Sequence, residues 1–189
     1  MKRIPSVWKE IQTIPNLLSI LRMILLPLYL YFVVHEAFYS AGVIILFSGV
    51  TDFLDGFIAR KFHQITELGK VLDPLADKLT QLVLIVSLAW ERPFIWWILG
   101  LFLVKEGFML IAGIIGLHRK VKLDGAKWYG KLATAVIYVG MVILLLFPEI
   151  SEVWLKWILI VITYSLLQSF ILYILEYKNL LTKQEKPEF

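Results

Sequence analysis

The chain has 189 residues, of which 59% are hydrophobic and only 18% are charged. A soluble domain is typically about 45–50% apolar and about 25% charged, so this composition indicates a membrane protein. The absence of cysteine excludes disulfides, thiolate metal sites and a cysteine nucleophile. In a membrane protein, a net charge of +4 is typical of basic loops facing an anionic leaflet rather than of nucleic-acid binding.

Residues 1–13 place apolar side chains three or four positions apart among basic ones. This periodicity predicts a short amphipathic helix lying on the membrane surface, with Trp8 at the interface. The alternative is a plain basic tail. The pattern consists of Ile4, Val7, Trp8 and Ile11 set among Lys2, Arg3 and Lys9.

Six stretches that follow are apolar over roughly the 20 residues that a transmembrane helix needs. Short polar segments separate them. The first stretch carries Arg22 and has no small-residue cleavage pattern, so we expect a retained helix and not a cleaved signal peptide. The predicted spans are 17–35, 40–61, 69–91, 94–117, 127–147 and 152–176.

Positive charge is distributed unevenly over the segments between these spans. Only Arg92 and Lys156 fall in the segments predicted to lie outside, whereas the other segments are rich in lysine and arginine. Because cytoplasmic loops are enriched in these residues, we expect both termini to be cytoplasmic. We also expect a cell inner membrane, because the chain is short and shows no organelle presequence. Tryptophans near the span ends are typical of an interfacial belt, namely Trp90, Trp96, Trp97, Trp154 and Trp157.

The predicted fold is therefore an all-α integral membrane protein with six transmembrane helices and a short N-terminal amphipathic surface helix. The expected organisation is a surface helix over 1–13, a six-helix domain over 14–177 and a cytoplasmic tail over 178–189.

Charged residues within apolar helices are costly and usually functional. In the second predicted span, Asp52 and Asp55 are three positions apart and share one helical face. Gly56 removes a side chain beside them and lets a ligand or another backbone approach closely. Ala59 continues the same stripe, and Arg60 adds a fixed positive charge one turn later.

The third predicted span repeats this pattern with a spacing of four, in Gly69, Asp73 and Asp77. Pro74 lacks an N–H group, so a kink or a local loss of helical hydrogen bonds is expected there. The connection between the two spans is short, so they are expected to lie antiparallel and to point four carboxylates into one cavity near the cytoplasmic end.

Four carboxylates cannot all ionise in a low-dielectric pocket without a positive partner. Arg60, Lys70 and Lys78 are candidates for part of that charge. A donor set made only of oxygen favours a hard divalent cation such as Mg²⁺ or Mn²⁺, and two carboxylates from each helix suit a pair of ions that stabilises displacement at phosphorus. Interhelical ion pairs in a structural scaffold, or a proton relay in a carrier, remain alternatives.

An ion-coupled carrier is expected to show inverted repeats, with broken helices at matching positions in two halves. The acidic cluster is instead confined to the second and third predicted spans. A purely structural scaffold does not explain why apolar helices tolerate four aspartates.

The complete pattern resembles the signature of the CDP-alcohol phosphatidyltransferase family. It reads Asp52-x2-Asp55-Gly56-x2-Ala59-Arg60-x8-Gly69-x3-Asp73-x3-Asp77, with eight fixed residues over 26 positions. A chance match of this length is far less expected than a match to a short motif. The six-helix layout with a surface N-terminal helix is also similar to that family.

The resemblance implies the following roles. Asp52, Asp55 and Asp73 bind metal ions that in turn bind the pyrophosphate of a CDP-lipid, here CDP-diacylglycerol. Asp77 also faces the metal site and acts as the general base for the acceptor hydroxyl, which attacks the phosphorus bearing the lipid and displaces CMP. The nucleotide site would be shaped by Gly56, Ala59, Arg60 and Gly69.

Residues 15–22 and 69–78 resemble the branch of that family whose acceptor is glycerol 3-phosphate or phosphatidylglycerol. We expect glycerol 3-phosphate, with phosphatidylglycerol as the alternative, and by resemblance alone a homodimer. The candidate acceptor-binding cations are Arg22, Lys105, Arg119 and Lys131.

These cations also have simpler explanations. The branch has an Arg-Glu pair where this chain has Lys105-Glu106, and a lysine loses bidentate phosphate recognition. Lys105 is equally explained by an ion pair with a carboxylate. For Arg119 and Lys131 the alternative is anchoring on the cytoplasmic side.

Overall fold

The structure is a computed structural model that describes residues 7–118 and 127–184. Every regular element in these ranges is helical, which confirms the all-α class. A 3-10 turn at Pro93–Ile95 precedes α5. The helices are α1 (Val7–Ile11), α2 (Ile14–Val34), α3 (Phe38–Lys61), α4 (Gly69–Glu91), α5 (Trp96–His118), α6 (Trp128–Leu146) and α7 (Glu152–Gln184).

Five stretches among the described residues are long and apolar enough to cross a membrane. They are α2, α3, Pro93–Gly116, α6 and the part of α7 up to Leu180. The helix α4 does not belong to this set, because its first turns carry charged side chains that include Asp73 and Asp77. A sixth span, and the location of both termini, therefore stay predictions.

The long helices bury one face and expose an apolar one. In α3, Ala41 and Ile45 are fully buried, whereas Phe47, Val50 and Phe53 on the other side are about half or more exposed. A water-soluble protein rarely exposes apolar surface of this extent, whereas a lipid bilayer matches it. The exposed face of α3 is therefore suited to lipid.

The chain forms two compact units, Met1–Leu88 and Ala89–Phe189. In the first unit α2 packs against α3 and also lies along α4. Ser19 contacts Asp73 near the start of α4, and the hydroxyls of Tyr29 and Ser87 are 2.6 Å apart further along both helices. Arg22, later than Ser19 in α2, reaches back to Asp52 in α3. Thus α2 runs parallel to α4 and antiparallel to α3, so α3 and α4 run in opposite directions, as the short connection between them predicts.

A polar latch ties α1 to the connection between α3 and α4. The backbone N–H of Leu68 donates to Glu10 Oε2 at 2.9 Å. Asn16, which is fully buried, donates through Nδ2 to the Glu10 carbonyl at 2.8 Å and to Thr66 Oγ1 at 2.9 Å. The described part of the predicted surface helix is therefore the five residues of α1, with Trp8 76% exposed.

In the second unit α6 and α7 approach closely at two glycines. A Cβ on Gly130 would stand 2.1 Å from Tyr173 Oη, and one on Gly140 would stand 2.7 Å from Ile162 Cδ1. Small residues allow such backbone approach between membrane helices. At the other end of the unit, Arg92 Nη2 donates to the Pro148 carbonyl, which brings both predicted outer loops together.

The tryptophans of the second unit are exposed. The exposed fraction is largest for Trp90, at 79%, and smallest for Trp96, at 43%. Exposure of these rings near helix ends is what an interfacial belt requires.

Candidate functional site: an aspartate cluster around Arg22

The four predicted aspartates lie close to one end of the first unit. Asp55 stands six positions before the end of α3, and Asp73 stands four positions after the start of α4. At 1.5 Å per residue these positions are about 9 Å and about 6 Å from the helix ends. Asp55 is buried, whereas the side chains of Asp52 and Asp77 are 48% and 39% exposed. The cluster is thus buried on one side and open on the other.

Arg22 joins three of the aspartates through one guanidinium. Its Nη1 lies 2.5 Å from Asp52 Oδ1 and also contacts Asp77 Oδ1, while its Nη2 contacts Asp55 Oδ2. The Arg22 side chain is only 2% exposed. Burial of a charged side chain among apolar helices requires such partners, because an unpaired buried charge is very costly. The structure therefore places Arg22, which the sequence suggested as an acceptor-binding residue, among the aspartates.

The fourth aspartate contacts α2 through a serine that sequence reasoning left without a role. Ser19 Oγ donates to Asp73 Oδ1 at 2.6 Å and lies 3.4 Å from Asp55 Oδ2. Ser19 is buried, as are Asn16 and Arg22. These three polar residues recur every third position in an otherwise apolar helix, and that spacing was the available signal for a functional face.

The aspartate cluster has the donor chemistry for Mg²⁺ or Mn²⁺, because all its candidate ligands are carboxylate oxygens. Three of its carboxylates already converge on one cation, the Arg22 guanidinium. Within residues 7–118 and 127–184, no three His, Cys, Asp or Glu side chains stand close enough together to hold one metal ion. The guanidinium occupies carboxylate oxygens that would bind an ion, so the residues fit a divalent cation in chemistry once Arg22 is moved aside.

Two of the cations expected near the cluster make other contacts in the first unit. Lys70 forms an exposed ion pair with Glu67 at 2.6 Å, so it is not directed to the aspartates. The Arg60 guanidinium lies over Gly56, with its nitrogens 3.7 Å from where a Cβ on that glycine would stand. The cation in direct contact with three aspartates is Arg22.

The glycines of the signature have different surroundings. Gly69 is buried against the latch, where an added Cβ would stand 2.6 Å from Asn16 Oδ1 and 3.0 Å from Thr66 Oγ1. Its backbone N–H also donates to Thr66 Oγ1 at 2.9 Å. Gly56 has room for a Cβ at ordinary contact distance from Arg60. Gly69 thus has a packing role, whereas packing alone does not explain Gly56. The third small residue of the signature on α3 or α4, Ala59, is half-buried.

The predicted acceptor cations other than Arg22 belong to the second unit. Lys105 is buried and its Nζ lies 2.6 Å from Glu106 Oε1, as the ion-pair alternative predicts. Lys131 is exposed on the first turns of α6. Arg119 lies outside the described residues.

A second polar cluster, missed from the sequence, joins the start of α6 to the last third of α7. Tyr129 Oη donates to Glu176 Oε2, and Lys127 Nζ lies 2.9 Å from Glu176 Oε1. The signal for it was Glu176 itself, a carboxylate near the end of an apolar stretch. The residues that pair with it follow only from how α6 and α7 pack.

Together these features define a class: a helical protein suited to a membrane, with a half-open aspartate cluster at one end of its first helices. The family model described as CDP-alcohol phosphatidyltransferase matches residues 12–167 of the chain. The chain belongs to this family and is a transferase of substituted phosphate groups. Members of the family use a CDP-alcohol and an alcohol acceptor, and they generally use divalent metal ions.

Relatives of two kinds are similar to the chain. A CDP-diacylglycerol–glycerol-3-phosphate 3-phosphatidyltransferase of Aquifex aeolicus is 41% identical over 133 residues, which cover 68% of this chain and 72% of the relative. A cardiolipin synthase (CMP-forming) of Streptomyces coelicolor is 34% identical over 144 residues, covering 72% of this chain and 66% of the relative. A cardiolipin synthase (CMP-forming) of Homo sapiens is 45% identical over 87 residues, covering 46% of this chain and 29% of the relative.

Proposed function

We propose that the protein transfers the phosphatidyl group of CDP-diacylglycerol to glycerol 3-phosphate in a metal-dependent reaction, giving phosphatidylglycerophosphate and CMP. The observation that carries this proposal is the aspartate cluster, which presents the family's acidic signature on two antiparallel helices facing α2. The similarity to the Aquifex aeolicus transferase supports glycerol 3-phosphate as the acceptor.

Asp52, Asp55, Asp73 and Asp77 would hold Mg²⁺ or Mn²⁺, which we take to be two ions. When bound, such ions neutralise the pyrophosphate of the donor and stabilise the charge that develops on it. Helix packing and the contacts of Ser19 and Arg22 keep the carboxylates of α3 and α4 near one another.

Asp77 is assigned as the general base. Its side chain is 39% exposed, so an acceptor hydroxyl has access to it, whereas Asp55 is buried. The hydroxyl proton passes to the Asp77 carboxylate as the oxygen forms a bond to the lipid-bearing phosphorus. The bond from that phosphorus to the bridging pyrophosphate oxygen breaks, and CMP leaves with the electron pair. A positioned base contributes typically about 10²–10⁴-fold to the rate.

The nucleotide is assigned to the surface of α3 formed by Gly56, Ala59 and Arg60. These residues follow the aspartates on the same helix, and the small side chains leave the backbone accessible to a flat ring. Gly69 is also assigned to the nucleotide site. Its effect there is indirect, because its own neighbours are Asn16 and Thr66.

Two glycine substitutions are expected to separate packing from ligand contact. Gly69→Ala forces the buried Asn16 out of place, so it should destabilise the protein by about 1–3 kcal/mol. Gly56→Ala meets no close atom and replaces a helical glycine, so stability should be kept or rise by up to about 1 kcal/mol. Its KM for CDP-diacylglycerol should nevertheless rise about tenfold, equivalent to about 1.4 kcal/mol of binding.

Thermal midpoints in detergent and KM values for the donor, measured side by side, test this pair. An unchanged KM in Gly56→Ala would remove that glycine from the nucleotide site. An unchanged thermal midpoint in Gly69→Ala would contradict its packing role.

Lys105, Lys131 and Arg119 are proposed as acceptor-binding residues on charge and sequence. A second candidate function is cardiolipin synthesis, with phosphatidylglycerol as the acceptor. Similarity to the Streptomyces coelicolor and human synthases favours it, and so does Lys105, which is buried against Glu106 and lacks the bidentate geometry of arginine.

We further propose that the protein is a multi-pass protein of the inner membrane with α4 as a sixth span. The 23 residues of α4 extend for about 34 Å, enough for the hydrocarbon core. The aspartate cluster and the latch lie at the end of α3 that carries Arg60 and Lys61, which the positive-inside rule assigns to the cytoplasm. A donor with acyl chains in the bilayer and a nucleotide in water is accessible at that boundary. A homodimer is the proposed assembly, by resemblance to the family.

CMP release by the purified protein tests the acceptor. With CDP-diacylglycerol and Mg²⁺ present, we expect release that depends on glycerol 3-phosphate, and no release with phosphatidylglycerol as the only acceptor. The reverse result would make the protein a cardiolipin synthase. Lys105→Met should raise KM for glycerol 3-phosphate, with Lys156→Met, an exposed residue paired with Glu152, as the matched control.

A further inference from the structure

We propose that Arg22 is an internal counter-ion of the aspartate cluster and that it leaves the cluster when a divalent cation binds. This inference rests on the metal site of the proposed function. It assigns to Arg22 a positioning role: keeping the carboxylates of α3 and α4 together until the ion arrives.

Burial and charge show what Arg22 does in the aspartate cluster. The guanidinium is 2% exposed and contacts carboxylates from two different helices. Without the guanidinium, the carboxylates of Asp52, Asp55 and Asp77 would face one another. Like charges at such short distances repel strongly in a low-dielectric site. Arg22 therefore holds α3 and α4 against α2 at this end of the first unit.

The geometry also shows that Arg22 is bound incompletely. Its two terminal nitrogens take all three carboxylates, with Nη1 shared by Asp52 and Asp77, whereas its buried Nε has no hydrogen-bond partner among the described residues. A guanidinium that fits a permanent structural site uses its planar set of donors more fully. Buried unsatisfied donors cost free energy, so this arrangement is one that a better cation can replace.

Exchange is required because a metal ion and the guanidinium compete for the same oxygens. The carboxylates bridged by Arg22 are not grouped closely enough to hold an ion, so metal binding requires them to close together. A doubly charged ion among them repels the guanidinium beside it. Arg22 has a long side chain with several rotatable bonds, and once its guanidinium leaves the carboxylates it is free to contact a phosphate group.

Titration with Mn²⁺ alone tests the exchange, with free Mn²⁺ followed by electron paramagnetic resonance. Arg22→Met keeps the bulk and removes the charge, so it should bind Mn²⁺ about tenfold more tightly than the wild type. Its thermal midpoint in EDTA should be lower than that of the wild type, and saturating Mn²⁺ should abolish the difference. Lys70→Met, which removes a cation paired with Glu67, is the matched control and should leave Mn²⁺ affinity unchanged.

The outcomes separate the two proposals. If the wild type and Arg22→Met both fail to bind Mn²⁺, the assignment of the metal site is refuted, and the proposed exchange is refuted as well. If both bind it with equal affinity, or Arg22→Met binds it more weakly, Arg22 is a permanent bridge and only the exchange is overturned. Should Arg22→Met fail to fold, Arg22→Lys serves instead: a point charge bridges fewer carboxylates, so tighter Mn²⁺ binding supports the exchange and equal or weaker binding contradicts it.

Discussion

Replacing Asp77 with asparagine is expected to lower turnover by about 10²–10⁴-fold while CDP-diacylglycerol binding is largely kept. The substitution removes the proton acceptor but preserves the size of the side chain. Asp77 contacts the Arg22 guanidinium, which also pairs with Asp52 and Asp55. Arg22 therefore stays in the cluster as its counter-ion when Asp77 is replaced. The loss should therefore appear in kcat and not in the affinity for the donor.

Single-turnover CMP release and equilibrium binding of the donor measure the two quantities separately. Glu67→Gln makes the same chemical change at an exposed carboxylate on the nearby connection, and it should retain full activity. Asp77→Glu should recover part of the turnover, because it restores a base at a slightly different distance. Turnover near the wild-type level in Asp77→Asn would refute the assignment of the base.

Apolar length alone predicts most of the helical architecture. The predicted spans 40–61 and 69–91 coincide within two residues with α3 and α4, because polar or charged segments follow both helices. The helix α7 continues to Gln184, beyond residue 176, where the predicted membrane span ends. The residues after Leu180 lie outside that apolar stretch, yet leucine, lysine and glutamine are good helix formers in water, so the helix continues.

The sequence predicts which residues face the site but not which of them touch. Spacing of three and four gives the faces of Asp52, Asp55, Asp73 and Asp77, and the family signature gives them roles. It does not give the rotation of α2 against α3 and α4, which decides that the Arg22 side chain lies among the aspartates. A cation assigned by charge alone is equally suited to an acceptor or a carboxylate until packing is known.

The latch shows the same limit for local structure. Glu10 and Leu68 are 58 residues apart in the chain, and no periodicity connects them. Their contact follows from α1 turning back over the connection between α3 and α4, which in turn requires a residue without a side chain at Gly69. A glycine that family resemblance attributes to the nucleotide site thus has a contact of its own within the protein.

Removal of divalent metal is expected to abolish turnover, by at least about 10³-fold, without unfolding the protein. Several kcal/mol of transition-state stabilisation come from ions at such sites, and no side chain in the described cluster supplies an equivalent charge to the phosphate of the departing CMP. The fold should persist in EDTA because the Arg22 guanidinium neutralises part of the cluster and keeps Asp52, Asp55 and Asp77 bridged.

Turnover and far-ultraviolet circular dichroism, measured on one sample before and after EDTA and again after excess Mg²⁺ or Mn²⁺, check both halves of this expectation. Activity should return with either ion in the wild type. Asp55→Asn should keep its helical signal but recover little activity, because Asp55 is the most buried of the proposed ligands and water cannot replace its carboxylate there. Full turnover in excess EDTA would leave Asp52, Asp55 and Asp77 as a purely ionic network around Arg22. Such a network explains their contacts but not the arrangement of four aspartates on two facing helices with one side open.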